Sequence, residues 1–413
     1  MATYYVSVMG CDNNNGTSPD TPWRTINKAN LSVKGGDTVC LRRGDTFFGA
    51  VELPRRNESG EPTVYKDYGQ GPKPVISQYK TVHGDSWEEY GEQVWRADLK
   101  DISKFSGNVT ELDVNAGFLK VDGQIKARKR FALGDLCDRW DFYNDDRYLY
   151  VLSDRCPALA AKEIQVACNI ICMRFANDIR VENIVFMGTG AHGISGTVRR
   201  ATVRNCEFHE IGGSELLTYH LPCVRYGNGV ECWCDSSDVL VEGCRFSGIY
   251  DVAMTMQGDC EEFGWRNITF RNNVVWNCQQ CFEIWSSGKV EDTGFENCVF
   301  ENNVCIDSGY CWGYEVRPNK DCSCHLLMYS LLCPRCDVTV RGNTFYRARV
   351  APVFKSGGPG GIPDEYRIVD NTFFVDPGQD IAFRADCDDT VYDGFLKRVL
   401  SENRIIESGF PEI

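Results

Sequence analysis

Val181-Glu182-Asn183-Ile184-Val185-Phe186 returns as Val203-Arg204-Asn205-Cys206-Glu207-Phe208 and again as Val241-Glu242-Gly243-Cys244-Arg245-Phe246. The series continues through Phe270-Arg271-Asn272-Asn273, Phe300-Glu301-Asn302-Asn303, Val340-Arg341-Gly342-Asn343-Thr344-Phe345 and Val369-Asp370-Asn371-Thr372-Phe373. It fades in Ser401-Glu402-Asn403-Arg404-Ile405. Corresponding turn positions recur at intervals of 22, 38, 29, 30, 40, 28 and 32 residues. The shortest interval matches one bare coil of a parallel β-solenoid, and the longer ones match coils that carry loops on one face.

Period-2 alternation inside each unit turns the apolar residues toward a lumen and the polar ones outward. Asparagine at the turn tolerates left-handed backbone and hydrogen-bonds its neighbours from coil to coil. A β-sandwich of irregular strands is the competing fold, but sandwiches do not repeat an Asn-terminated strand at this spacing. The sequence therefore predicts an all-β, right-handed parallel β-helix. Residues 161–413 form its main body, with the ligand face. Residues 1–84 supply the first coils and a short helix around Trp23 to Asn30 that caps the open lumen. Residues 85–160 hold strand-like runs such as Gly117-Phe118-Leu119-Lys120-Val121 and Tyr148-Leu149-Tyr150-Val151-Leu152, which read as a small β insertion.

Composition narrows the partners. A formal net charge of −14 argues against a phosphate-backbone ligand, because nucleic-acid binding draws on a basic face that releases counterions. No run of about 18 consecutive apolar residues offers a membrane span. The 22 cysteines depend on compartment for their meaning. The start, Met1-Ala2-Thr3-Tyr4-Tyr5-Val6, lacks a charged segment followed by a long apolar one, so a reduced cytosol is the default expectation. In that setting cysteine is a small buried hydrophobe. Export through a signal trimmed from this sequence would reverse the expectation.

The segments Tyr4-Tyr5-Val6-Ser7, Asp12, Gly16-Thr17-Ser18, Pro22-Trp23, Gly35-Gly36-Asp37 and Arg43-Gly44-Asp45-Thr46-Phe47 are shared in pattern with a known group. Together they resemble the N-terminal signature of bacterial right-handed parallel β-helix carbohydrate-active proteins, which include glycoside hydrolases and polysaccharide lyases. The resemblance covers the first fifth of the chain. It implies the fold and a carbohydrate substrate more strongly than it implies a reaction.

After each Asn turn comes a second apolar-alternating run: Gly229-Val230-Glu231-Cys232-Trp233, Val252-Ala253-Met254-Thr255-Met256-Gln257, Cys281-Phe282-Glu283-Ile284-Trp285, Gly313-Tyr314-Glu315-Val316-Arg317 and Val353-Phe354-Lys355. With the apolar alternates inward, Glu231, Trp233, Thr255, Gln257, Glu283, Trp285, Glu315, Arg317 and Lys355 line one exterior face. Coils stack at about 4.8 Å, so equivalent residues lie about 5 Å apart on adjacent rungs and about 10 Å apart two rungs on. Glycoside hydrolysis needs two carboxyl groups, about 5–5.5 Å apart for retention and about 6.5–9.5 Å for inversion. Crowded like charges raise one carboxyl pKa, which keeps a general acid protonated. The tryptophans offer flat apolar surfaces for sugar rings.

Asp251, at the start of the same run, is a third acid, with a turn-forming role as its plainer reading. Glu231, Asp251 and Glu283 are thus the candidate catalytic residues, against the plainer reading of solvated outer-face acids. His192, in the Gly-rich turn Gly188 to Ile194, and Arg225, in the loop His220 to Asn228, are expected to rim the face as substrate contacts. His192 can instead bond a neighbouring turn, and Arg225 can pair internally with Glu231 or Asp235. Cys322, Cys324, Cys333 and Cys336 have a C-x-C…C-x-x-C spacing that suits a structural Zn²⁺, against buried thiols as the alternative.

Three functions remain open at this level. The first is a glycoside hydrolase that requires no cofactor. The second is a polysaccharide lyase or uronate epimerase, which needs a base and often Ca²⁺. Lys355 and Arg317 are the only bases on the ladder, and no tight Asp cluster for calcium is apparent. The third is a carbohydrate-binding β-helix without catalysis. Oligomeric state is left open.

Overall fold

The computed structural model describes the chain except residues 54–56, 58, 102, 104, 107–112, 218–223, 260–261, 287–292, 318–321, 332–334, 357–361, 385–388 and 411–413. Three parallel sheets wind around one lumen as a right-handed β-helix. The first sheet has ten strands, from Thr3–Val6 to Tyr366–Val369, and the second has ten, from Thr46–Phe48 to Arg404–Glu407. The third has eight, from Met173–Arg174 to Ala382–Arg384.

The quoted repeat is the bend between the first and second sheets. Its Asn or Gly takes up left-handed backbone, with φ of 59° at Asn183, 52° at Asn205, 65° at Gly243 and 55° at Asn272 and Asn302. Asparagine and glycine adopt this conformation at the lowest cost. The next residue turns inward. In the first three repeats it is Ile184, Cys206 or Cys244, all buried; from the fourth repeat onward it is Asn273, Asn303, Asn343, Asn371 and Asn403. Each of the first four donates its backbone N–H and its Nδ2 to the Oδ1 of the next asparagine, at 2.8–3.0 Å. A buried amide column of this kind is stable because both donor and acceptor of every member are used.

Aromatic stacks fill the lumen, including Phe186–Phe208 at 5.3 Å, Phe208–Phe246 at 4.8 Å and Trp265–Phe295 at 4.4 Å between ring centroids. At the N-terminal end the helix Ile26–Ser32, capped by Thr25 Oγ1 accepting from Lys28 N, buries Ile26 and Ala29 against the core. At the other end the helix Asp389–Glu402 places Phe395 and Val399 in the same core. The sequence reading does not contain this second helix. Val391, Phe395 and Val399 recur at helical spacing, but the Asn403 repeat beside them reads as a further coil. No helix among the described residues is long and apolar enough to cross a membrane. No disulfide joins any of the described cysteines.

Loops are placed unevenly around the coil, and this positions the site. Long connections between the second and third sheets span residues 78–172, 212–229 and 309–325. The first of these holds two antiparallel four-stranded sheets, with strands between Lys80–Val82 and Ile164–Cys168. They have their own core, including Trp87, Leu99, Leu119, Phe142 and Val151. All three connections rise along one edge of the third sheet, whose outer surface becomes a walled floor.

Candidate active site

Strand register on the third sheet sets two outward columns. Ser195, Glu231, Thr255, Glu283 and Leu327 follow one another on successive coils. Trp233, Gln257, Trp285 and Tyr329 form the second column, two residues further along each strand. Between them an inward column, Cys232, Met256, Ile284 and Met328, belongs to the core. Alternation along a strand produces this arrangement directly.

Glu231 is held on every side. Its Oε1 accepts from Ser195 Oγ at 2.5 Å, and its Oε2 accepts from Asn228 Nδ2 at 2.8 Å. Gln257 Nε2 donates to the same Oε2. His192 Nε2 lies 3.6 Å from it. The Nδ1 of His192 accepts from Asn228 N at 3.0 Å, so the ring proton is on Nε2, the atom that faces the carboxylate. Glu231 is 3% exposed. Two residues at this end, Ser195 and Asn228, were missed in the sequence. The parallel between Gly193-Ile194-Ser195 and Gly229-Val230-Glu231 was the available signal. A Cβ on Gly193 would meet Gly229 O at 2.5 Å, so the two segments stack closely.

Glu283, two coils further on, is 8% exposed and among the described residues has a single hydroxyl donor, Thr255 Oγ1, at 3.3 Å from its Oε2. Burial pushes its carboxyl up to about 8, and the nearby Asp251 charge adds to the shift. Arg317 and the Thr255 hydrogen bond oppose it, and Glu231 reinforces it more weakly. A carboxyl with so few donors in a dry site favours its neutral form. Asp251 stands just before the strand Val252–Gly258 and forms an ion pair with Arg317, Nη2 to Oδ1, at 2.7 Å. Arg317 Nη1 also donates to Tyr250 O at 3.2 Å. The site therefore presents a proton-holding carboxyl beside an ion-paired carboxylate. Trp233 and Trp285 flank it, with ring centroids 6.3 Å apart and planes inclined by 53°.

Four expectations are corrected. Glu315 is not on the sheet: it lies in the 3-10 turn Tyr314–Val316, exposed, with Arg349 Nη2 at 3.6 Å. The strand of that coil is Leu326–Leu331, whose apolar residues hide the alternation because the 309–325 loop covers its outer face. Arg317 comes from the same turn and reaches the site from the wall. Lys355 pairs in register with Met328, in the inward column, and is buried; Phe354 takes the outward place beside Cys322, Cys324 and Leu327. A shift of one residue in frame exchanges the faces. Arg225 does not rim the face. It is buried and donates to Gly213 O at 2.6 Å, Gly117 O at 2.7 Å and Val316 O at 3.4 Å.

The cysteine motif is divided. Cys322 and Cys324 join a small apolar cluster outside the lumen, Cys336 is in the main core, and Cys333 is outside the described residues, as is His220. Among the described residues only Cys137, Asp138 and Asp141 bring three such ligand atoms together. Arg130 already spans that group, at 2.7 Å from Asp141 Oδ2 and 3.3 Å from Asp138 Oδ2.

A family profile described as right handed beta helix region matches residues 165–345. No curated protein matches the sequence. Among solved structures, a complex of XylC with xylose is similar at 12% identity and a TM-score of 0.52, covering 93% of this chain and 70% of that one. A GH136 lacto-N-biosidase from Eubacterium ramulus is similar at 16% identity and a TM-score of 0.50, covering 98% of this chain and 68% of that one. The pectate lyase Pel9A aligns at 11% identity and a TM-score of 0.46, over 94% and 78% of the two chains. At these identities the likeness is one of fold: the chain is a right-handed β-helix whose structural neighbours are glycoside hydrolases and polysaccharide lyases.

Proposed function

We propose that the protein is a glycoside hydrolase acting on an oligosaccharide or polysaccharide at the outer face of the third sheet. The observation that carries this reading is the pairing of unlike carboxyls: buried Glu283, pushed up to about 8, and Asp251, ion-paired with Arg317 at 2.7 Å. Glu283 is the general acid that protonates the leaving oxygen. Asp251 is the carboxylate that attacks the anomeric carbon or activates a water. A proton-holding carboxyl beside an ion-paired carboxylate is the pair that glycosidic cleavage requires. Trp233 and Trp285 receive the sugar rings by stacking. Glu231, saturated by its donors, orients groups along the floor and is not the reacting carboxylate.

The lyase reading has less support. It needs a free base, whereas Arg317 is committed to Asp251 and Lys355 faces the lumen. The fold neighbours include proteins described as hydrolases and as lyases, and a carbohydrate substrate is common to both descriptions. A screen of aryl glycosides and glycan oligomers, with proton NMR of the anomeric product, tests the proposal. Hydrolysis releases a reducing sugar with a defined anomeric configuration. An unsaturated product absorbing in the ultraviolet would instead establish a lyase, and binding without turnover would leave a carbohydrate-binding β-helix.

A further inference from the structure

Asp251 and Arg317 come from different parts of the chain. Asp251 lies in the short bend between the second-sheet strand Arg245–Ile249 and the third-sheet strand Val252–Gly258, whereas Arg317 follows the 3-10 turn of the 309–325 loop, outside any sheet. Arg317 Nε has no hydrogen-bond partner among the described residues, so beyond the Nη1 bond to Tyr250 O its hold on Asp251 depends on where its backbone is placed. Several contacts place that turn. Trp312 Nε1 donates to Gly248 O at 2.9 Å, Gly313 crosses the Tyr250 ring, where a Cβ would come within 2.8 Å, and Arg225 Nη1 donates to Val316 O at 3.4 Å. Trp312 packs on Phe118 of the β insertion, at 4.9 Å between ring centroids, and against Gly213, whereas Arg225 joins the turn itself by hydrogen bonds to both the insertion, through Gly117 O, and the 212–215 bend, through Gly213 O. Its guanidinium also lies 4.6 Å from the centroid of the Tyr250 ring, and that of Arg317 lies 5.3 Å from it.

We infer that Arg225 is a positioning residue: its planar fork, spread over carbonyls of three segments, fixes the Arg317–Asp251 pair against Glu283. This rests on the proposed roles of Glu283 and Asp251. A fork of rigid donors can span three carbonyls at once, whereas one ammonium cannot. Arg225→Lys therefore keeps the charge and releases the turn. Arg317 then withdraws from Asp251 and from Glu283. Among the described residues, the charged and titratable groups that act with Glu283 are Asp251, Arg317 and Glu231, with Cys324 of the 309–325 loop and Tyr329 of the strand that follows it. Arg317 is the only cation among them, so its retreat raises the proton affinity of Glu283.

The test is a carboxyl carbon-13 NMR titration of the full chain, with the Glu283 signal assigned from its loss in Glu283→Gln. The wild-type midpoint is expected at about 8. In Arg225→Lys it is expected to rise by about one pH unit, and in Arg317→Lys to rise in the same direction. An Arg225→Lys titration that overlays the wild type overturns the inference. So does an Arg225→Lys chain that fails to fold, because Arg225 would then be a structural staple. The readout needs no turnover. A protein that shows the shift yet cleaves no glycan refutes the hydrolase reading alone, and a hydrolase without the shift refutes the positioning role alone.

Discussion

Glu231 and Glu283 occupy one outward column of one sheet, two coils apart, and meet opposite surroundings. Glu231 has donors from Ser195, Asn228 and Gln257 and a histidine at 3.6 Å. Glu283 has one hydroxyl at 3.3 Å, apolar burial and the charge of Asp251 nearby. The repeat dictates that both point outward, but the residues beside them, on the strands and on the connections at the sheet edge, decide what each can do. A solenoid thus separates direction from chemistry: the coil aims the side chain, and its neighbours and burial decide what it can do.

The sharpest way to break the comparison is to remove each carboxyl in turn. Glu283→Gln and Asp251→Asn are each expected to lower kcat/KM by about 10³-fold, the scale of a lost general acid or reacting carboxylate. Steady-state kinetics on a hydrolysed glycan checks this. Glu231→Gln is expected to cost less activity, about tenfold. It turns an acceptor into an amide facing two amide donors and a hydroxyl, so stability should fall by about 1–3 kcal/mol, measured as a lower urea midpoint. Equal activity losses at Glu231 and Glu283 would remove the distinction between them.

The comparison also has a pH signature. The folded Glu283 carboxyl keeps its proton up to about 8, whereas the unfolded chain loses it near 4.5. Between those values the folded state binds more protons, so its contribution to stability is complete below the window and is lost as pH rises through it. The expected loss is about 1.4 kcal/mol per pH unit at most. Urea unfolding at several pH values should show that Glu283→Gln flattens this fall and Glu231→Gln does not. The smallest effect is expected at the sugar platform. Trp285→Ala should raise KM about tenfold with little change in kcat, because stacking holds substrate and transition state alike.

Much of the fold was legible because the repeat reports backbone geometry. Asn183, Asn205 and Asn272 take the left-handed bend that their side chains tolerate. Wherever alternation was clean, as in Val230–Trp233 and Gln280–Ser286, the outward residues were placed correctly. It failed where a loop covers the outer face. Leu326, Leu327 and Met328 are apolar inside and outside the lumen and hid their coil, so Glu315 was given a rung that belongs to Leu327. The buried partners were invisible for a different reason. Arg225 bonds main-chain carbonyls of segments 12, 91 and 108 residues away, which no local pattern encodes. The elevated carboxyl of Glu283 likewise depends on burial and on Asp251, not on its own strand.

The most direct measurement of the central claim is the pH dependence of kcat/KM on a glycan that the protein hydrolyses. If Glu283 is the general acid, the rate falls on the basic side with a midpoint at about 8. That limb should disappear in Glu283→Gln when the substrate carries a leaving group that needs no protonation. A basic limb unchanged in Glu283→Gln on that substrate would show that another group holds the catalytic proton and would contradict the account.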